Sequence, residues 1–258
     1  MSDKTQVNID EKYIVRDKSS SDGSQIKYNI DDNWYKVDYF GGEGETEHLA
    51  SLLLSCTNLD KEKYVMYNTV TINGDPGCVS LDFRKDKADE FITLYRLYKN
   101  IYGKDLASVT SKMDYDDAIE YVIDFVKKAV GLDITAYLAN IFWLDAIILN
   151  SDRHFNNYGI IMHGDKYLEA PIFDNGKSLL TGSKTDLKAT TLTEAIGKVY
   201  SKSFSPNFAL NYNYLKQHCT IKLDRDKIFE LLKTTADSVQ KQVLEHQLRK
   251  PPFNSFFE

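Results

Sequence analysis

The sequence predicts an α+β protein with two lobes: a small antiparallel β lobe that carries one helix, followed by a larger, mostly helical lobe. Alternating polar and apolar residues, typical of half-buried strands, are concentrated between about residues 11 and 83. Beyond that point apolar residues recur at helical spacing. We therefore expect a flexible arm at residues 1–10, a first lobe at 11–83 and a second lobe at 84–258.

The first lobe should contain five strands and one helix. Turn residues separate its apolar runs, and the sequence Asn73-Gly74-Asp75-Pro76 is a strong turn signal. Leucines at helical spacing after the glycines at 41–44 predict the helix. The expected strands are Lys12–Val15, Gln25–Ile30, Trp34–Phe40, Tyr64–Ile72 and Gly77–Phe83, and the expected helix is Thr46–Ser55.

The second lobe should be built from amphipathic helices around an apolar one. The run Ile134–Leu149 is mostly apolar and should be buried at the centre of the lobe. A β-hairpin is expected at Gly159–Met162 and Tyr167–Phe173, and a mobile loop from Gly176 to Thr191. The other expected helices are Asp89–Tyr102, Tyr115–Val130, Thr193–Tyr200, Leu210–His218 and a long Asp224–Leu248.

Composition and charge exclude several classes of protein. A formal charge of -6 and a pI near 5.5 argue against a protein that coats nucleic acid, because phosphate neutralisation needs a basic face. The three cysteines form no C-x-x-C pair, and no apolar run is long enough to span a bilayer. The N-terminus lacks the apolar core of a signal peptide. We expect a cytoplasmic protein, with export as an effector left open.

The segment from Asn150 to Gly176 carries the strongest chemical signal. Asp152 is followed by Asn157 in a polar loop, and the predicted hairpin returns a second acid, Asp174, beside the first. One carboxylate could orient or deprotonate a hydroxyl, while the amide oxygen and the other carboxylate hold Mg²⁺ on nucleotide phosphates. The segment predicts phosphoryl transfer.

Two features of the first lobe are compatible with this chemistry. Lys36 projects from a predicted strand, and Glu47 lies in the first turn of the next helix, as in an ion pair that holds a lysine on the α- and β-phosphates. The small polar loop from Lys18 to Ser24 could lay backbone N–H groups over phosphates. Each feature alone is also explained by an ordinary exposed strand, helix terminus or turn.

The order of these parts resembles that of a protein kinase, and the segments SDRHFNNYG and PIFDNGKSL are more closely similar to those of the HipA-like serine/threonine kinases. The resemblance covers nearly the whole chain from about Lys12. It implies a two-lobed protein-kinase-like fold and ATP- and Mg²⁺-dependent transfer of the γ-phosphoryl group to a Ser or Thr hydroxyl. Asn175 stands in place of the Phe of Asp-Phe-Gly, and Asn150-Ser151 precede Asp152 in place of His-Arg.

The resemblance also assigns roles to residues. Asp152 would be the catalytic acid/base, Lys36 and Glu47 would act as the phosphate-holding pair, and Asn157 and Asp174 would bind Mg²⁺. Residues expected to bind ATP are Ser19, Ser20, Ser21, Asp22, Gly23 and Ser24 over the phosphates, and Val79, Ser80, Leu81, Asp82 and Phe83 near the adenine.

The same resemblance bears on partners. Autophosphorylation would fall on Ser19, Ser20 or Ser21, and the other partners would be a protein substrate and, for a toxin-type kinase, an antitoxin.

Two other functions compete with the kinase. A metal-dependent hydrolase could use Asp152, His154, His163 and Asp174, since imidazole and carboxylate bind Zn²⁺ or Mn²⁺. Activity of a hydrolase should be lost with His163→Ala, and that of a kinase with Lys36→Ala. A non-catalytic pseudokinase would bind nucleotide without turnover.

Overall fold

A computed structural model describes residues 5–15, 25–183 and 190–250. The first lobe is built on a five-stranded sheet with the order β1-β4-β5-β3-β2. Neighbouring strands are antiparallel except β1 and β4, which are parallel. The strands are β1 (Gln6–Val7), β2 (Lys27–Ile30), β3 (Asn33–Val37), β4 (Tyr67–Ile72) and β5 (Asp75–Leu81).

The start of the chain differs from the expectation. Gln6–Val7, which we expected within a flexible arm, pair with the end of β4, and Ile9 beyond them is buried in the core of the sheet. The expected strand Lys12–Val15 is instead a 3-10 turn at Glu11–Tyr13. The turn forms because the carboxylate of Asp10 accepts a hydrogen bond from the backbone N–H of Lys12.

Helix α1 (Glu43–Ser55) packs across β4 and β5. It begins earlier than expected because Asp38 accepts hydrogen bonds from the backbone N–H groups of Gly42 and Gly44, both at 2.7 Å. A Cβ on Gly44 would lie 2.5 Å from the backbone of Gly77 in β5. Gly44 and Gly77, which lack side chains, therefore allow the close contact between helix and sheet.

The second lobe is mostly helical, as expected. Helix α5 is almost entirely buried and lies at its centre. The helices are α2 (Leu94–Tyr102), α3 (Leu106–Thr110), α4 (Tyr115–Val130), α5 (Thr135–Ile148), α6 (Leu192–Gly197), α7 (Phe208–Leu215), α8 (Arg225–Thr234) and α9 (Val239–Arg249). A second sheet has the order β6-β7-β8, with β6 (Glu90–Thr93), β7 (Gly159–His163) and β8 (Lys166–Glu169).

Two expected helices of this lobe were wrong in extent. The first part of Asp89–Tyr102 is strand β6, because its residues pair with β7, and Thr93 then caps α2 by accepting from the N–H of Arg96. The long helix expected at Asp224–Leu248 is divided into α8 and α9. Ser238 starts the second helix by accepting from the N–H of Lys241.

The hairpin β7–β8 positions the segment that follows it. Its two-residue turn contains Gly164 with φ of 57°, which is the backbone conformation that glycine supplies most easily. After β8, Ile172 exchanges two backbone hydrogen bonds with residues 63 and 65 of the first lobe, at 2.8 and 2.9 Å. The residues after Ile172 are thereby held beside the first lobe. Within the described ranges, no helix has the length and apolar character needed to cross a membrane.

Candidate active site

A buried cluster of three charges joins the two lobes. The ammonium of Lys36, on β3, lies 2.8 Å from Oε1 of Glu47 in α1 and 3.1 Å from Oδ1 of Asp174. Lys36 is 8% exposed and Glu47 is 1% exposed. Burial lowers the pKa of Lys36, but the carboxylates of Asp174 and Glu47 outweigh it and raise that pKa well above its ordinary value. Lys36 is therefore a fixed, charged group facing Asp174.

Glu47 makes a second contact that the sequence did not predict. Its Oε2 accepts a hydrogen bond from the backbone N–H of Asn175 at 2.8 Å. One carboxylate therefore holds both the lysine of β3 and the backbone that follows Asp174. Burial raises the pKa of Glu47 above its ordinary value even though Lys36 lowers it.

Asp174 has a left-handed backbone with φ of 57°, a conformation that is uncommon for residues other than glycine and is frequent at functional sites. Burial raises the pKa of its carboxyl, but Lys36 and Lys27 hold that pKa well below its usual range. Lys27 lies opposite Lys36 in the pairing of β2 with β3, so it lies on the same face of the sheet. The sequence reasoning missed Lys27, although its place in an alternating strand was a usable signal.

Asp152 and Asn157 lie in the loop between α5 and β7. Asn157 donates from Nδ2 to the backbone carbonyl of Asp152 at 3.1 Å, which links the two residues. Its own Oδ1 is buried and, among the described residues, has no hydrogen-bond partner. The carboxylate of Asp152 is 26% exposed and lies 2.6 Å from Nζ of Lys202 and 3.6 Å from Nζ of Lys177.

Arg153 organises this loop and was also missed. It is fully buried and pairs through Nε and Nη2 with the carboxylate of Asp145 in α5, at 2.9 to 3.3 Å. Nη1 donates to the carbonyl of Phe173 at 2.7 Å, and Nη2 donates to Oδ1 of Asn175 at 2.6 Å. Arg153 thus ties α5, the Asp152 loop and the Asp174 loop together. The sequence did contain a signal for this pairing: Asp145 lies inside the apolar helix α5, and a buried carboxylate needs a cationic partner.

The residues expected near the adenine line one cleft of about 480 Å³. Its walls include all five of Val79, Ser80, Leu81, Asp82 and Phe83. Asp82 is already engaged, since it accepts hydrogen bonds from the indole of Trp34 at 3.0 Å and from Arg84. Met66 of the first lobe and Pro171 of the second line the same cleft. The residues expected over the phosphates, from Ser19 to Ser24, lie outside the described part of the chain.

The histidines do not form the site that a metal hydrolase needs. Nδ1 of His163, at the end of β7, lies 2.6 Å from the carboxylate of Asp89. This hydrogen bond is the main reason why the pKa of Asp89 is lowered. Burial lowers the pKa of His154. In the part of the chain that the structure describes, no three His, Cys, Asp or Glu side chains are placed to share a metal ion. These contacts argue against the hydrolase.

Comparison with solved structures identifies the fold. The chain superposes on the Helicobacter pylori proinflammatory kinase CtkA with a TM-score of 0.59 and 18% sequence identity, covering 87% of this chain and 88% of that one. It also superposes on HipA of the Shewanella oneidensis MR-1 toxin-antitoxin system, with a TM-score of 0.51 and 13% identity, covering 93% of this chain and 66% of that one. The chain has a HipA-like kinase fold.

The expected α+β, protein-kinase-like fold is therefore confirmed.

The solved HipA structure is a complex of HipA with HipB and its operator DNA. No protein-family model matches the sequence of this chain, and a search of curated proteins gave no match. At these low identities the structural likeness concerns the fold, and the activity has to be argued from the site.

Proposed function

We propose that this chain is an ATP- and Mg²⁺-dependent protein kinase that transfers the γ-phosphoryl group to a Ser or Thr hydroxyl. The observation that carries the proposal is the buried contact of Lys36 with both Glu47 and Asp174. Three charges are costly to bury, and this arrangement sets a cation of the first lobe beside a carboxylate of the second. Phosphoryl transfer needs both, a cation for phosphate oxygens and a carboxylate for a metal ion.

The residues present fit a magnesium site. Asn157 contributes a buried amide oxygen that has no hydrogen-bond partner among the described residues, and Asp174 contributes a carboxylate held ionised by its lysine neighbours. Hard oxygen ligands of this kind, few in number, suit Mg²⁺ that is also bound to phosphates. When bound there, the metal would neutralise charge on the phosphates.

The other residues would position the reactants. Lys36 would donate to the α- and β-phosphates, and the cleft lined by Val79 to Phe83 would accept the adenine. Asp152 would accept a hydrogen bond from the substrate hydroxyl and take its proton as the oxygen attacks phosphorus. Catalysis would rest on alignment and charge stabilisation.

The test is intact-mass spectrometry of the purified chain after incubation with Mg-ATP, beside Asp152→Asn and Asp174→Asn variants. A gain of one or more phosphates by the parent that is absent from both variants is expected, and mapping to Ser19, Ser20 or Ser21 would support self-phosphorylation in that loop. Phosphate on the parent and equally on both variants would contradict the proposed roles.

A thermal-shift measurement with Mg-ATP separates the remaining alternatives. A parent that is stabilised by Mg-ATP and gains no phosphate is a kinase that needs a separate protein substrate, or a pseudokinase. A parent that is not stabilised has no nucleotide site of the proposed kind. Since the solved HipA structure contains HipB, an antitoxin-like partner is a further proposal for this chain, tested by co-purification from its native host.

A further inference from the structure

One contact of the proposed catalytic residue comes from a distant part of the sequence. Nζ of Lys202 donates to Oδ1 of Asp152 at 2.6 Å, across 50 residues. Hydrogen bonds between charged partners are shorter than neutral ones and roughly twice as strong. The ammonium of Lys202 therefore lies against the carboxylate that would bind the substrate hydroxyl in the proposed kinase. The chain as a whole is acidic, with a net charge of -6.

The backbone that carries Lys202 is held in place by its neighbours. Ser201, Ser203 and Ser205 are all buried, while Lys202 between the first two is exposed. Asn211 of α7 donates from Nδ2 to the carbonyls of Ser203 and Ser205 at 3.2 and 3.0 Å, and its Oδ1 accepts from the N–H of Ser205 at 2.9 Å. The segment is therefore an ordered support, and the contact with Asp152 is more constrained than an ordinary surface ion pair.

The same segment is attached directly to the catalytic loop. The hydroxyl of Ser203 donates to the backbone carbonyl of Arg153, the residue after Asp152. Phe204 packs edge-to-face against Phe142 of α5 and Phe155 of the loop, with ring centroids 5.5 Å apart in each case. These contacts of Ser203 and Phe204 hold the segment that carries Lys202 against the loop that carries Asp152.

Lys177 provides a comparison within the same site. Its ammonium lies 3.6 Å from Oδ2 of Asp152, beyond hydrogen-bond distance, and 4.9 Å from the centre of the Phe40 ring. Lys177 lines a cleft of about 470 Å³ together with Asp152 and Phe40. Of these two lysines, only Lys202 is hydrogen-bonded to the carboxylate of Asp152.

We infer that Lys202 is a catalytic residue, whose ammonium passes from Asp152 to an oxygen of the transferred phosphoryl group. The inference rests on the proposed kinase function. A hydroxyl bound to Asp152 would lie about 2.7 Å from its carboxylate, and the phosphorus about 3.5 Å from that hydroxyl. An ammonium already 2.6 Å from the same carboxylate is within reach of both.

The step balances without a further reactant. The new bond joins the substrate oxygen to the γ-phosphorus, and the bond from that phosphorus to the bridging oxygen of ADP breaks, with the electron pair leaving on ADP. The hydroxyl proton goes to Asp152. Lys202 stays protonated throughout, and its hydrogen bond to the phosphoryl oxygen strengthens as charge develops there.

The test compares Lys202→Met with Lys177→Met and Lys202→Arg in the full chain. Each Met variant removes one positive charge near Asp152, so the two are matched in charge. We expect Lys202→Met to lower kcat about 100-fold, as removal of one transition-state donor does in other enzymes, and Lys177→Met to lower it less than about 5-fold. Lys202→Arg should recover part of the loss, because it keeps a cation and a donor.

Binding constants supply a readout that a merely structural role would not move. Calorimetry should show that Lys202→Met weakens the Mg complex of adenylyl imidodiphosphate about tenfold, while the affinity for Mg-ADP stays at the parent value. The first ligand carries a γ-phosphoryl group and the second does not. Equal loss for both ligands, together with a lowered Tm, would show a structural role and overturn the inference.

The outcomes keep the two proposals separate. An active parent whose Lys202→Met variant retains kcat within 3-fold overturns the role of Lys202 and leaves the kinase intact. A parent that binds nucleotide without turnover still tests Lys202 through the difference between the two ligands. A parent that binds neither ligand overturns the kinase function and the inference with it.

Discussion

Arg153→Met should be among the most destabilising single substitutions in this chain. The guanidinium is fully buried and pairs with Asp145, which is 4% exposed, so its loss leaves a buried carboxylate without its cation. Breaking a buried pair from one side costs about 3 to 5 kcal/mol. Two further acceptors, the carbonyl of Phe173 and Oδ1 of Asn175, also lose their donor. We expect a loss of roughly 4 kcal/mol in the free energy of unfolding.

A second variant separates the ion pair from packing. In Asp145→Asn combined with Arg153→Met, neither charge of this pair remains, so the double variant should be less destabilised than Arg153→Met alone. The matched surface control is Lys128→Ala, whose partner is Asp124. Both side chains of that pair are more than half exposed, and the loss should stay within about 0.5 kcal/mol.

Urea unfolding followed by tryptophan fluorescence measures these differences, since Trp34 lies in the first lobe and Trp143 in the second. Equal slopes for parent and variants would justify comparing midpoints as stabilities. A loss below about 1 kcal/mol for Arg153→Met, or a double variant worse than the single one, would refute the assignment of Arg153 as the residue that joins these loops.

Three other predictions concern the cluster around Lys36. Glu47→Gln should lower kcat about 100-fold in a phosphorylation assay, because Lys36 loses one of its two carboxylate partners and is misplaced; unchanged kcat would contradict it. Gly77→Ala should cost about 2 kcal/mol in urea unfolding, because its Cβ would lie 2.2 Å from the carbonyl of Lys36, whereas Gly197→Ala meets nothing within 4 Å and should be neutral. The pKa of Asp174 is depressed, so its carboxylate contributes stability above the unfolded pKa of about 3.9 that is lost as pH falls through the folded pKa. The difference in free energy of unfolding between parent and Asp174→Asn should therefore be constant from pH 7 to pH 5. A decline of this difference within that window would contradict the prediction.

The parts of the site that the sequence predicted are those with local signatures. Asp152 and Asn157 lie five residues apart in one loop, and Asp174 follows a hairpin whose turn and alternation are visible in the chain. Lys36 and Glu47 lie on adjacent elements, a strand and the helix after it. The two-lobed fold also followed from a change in apolar spacing near residue 83, from strand-like to helical.

The elements that were mispredicted depend on partners elsewhere in the chain. Strand β1 exists because Gln6–Val7 pair with β4, and β6 exists because it pairs with β7, some 70 residues later. A short segment with mixed propensity takes the structure that its neighbours complete. The division between α8 and α9 depends on a single cap at Ser238.

By itself, then, the sequence determined the order of lobes, the helix and hairpin framework, and the candidate site residues that occur in one or two local motifs. The tertiary structure decided which distant charges meet them: Asp145 with Arg153, Lys27 beside Lys36, and Lys202 on Asp152. The physical reason is that a motif requires only neighbours along the chain. A charge partner can come from any element that packing brings within a few ångströms, and the periodicity of its own segment does not record that contact.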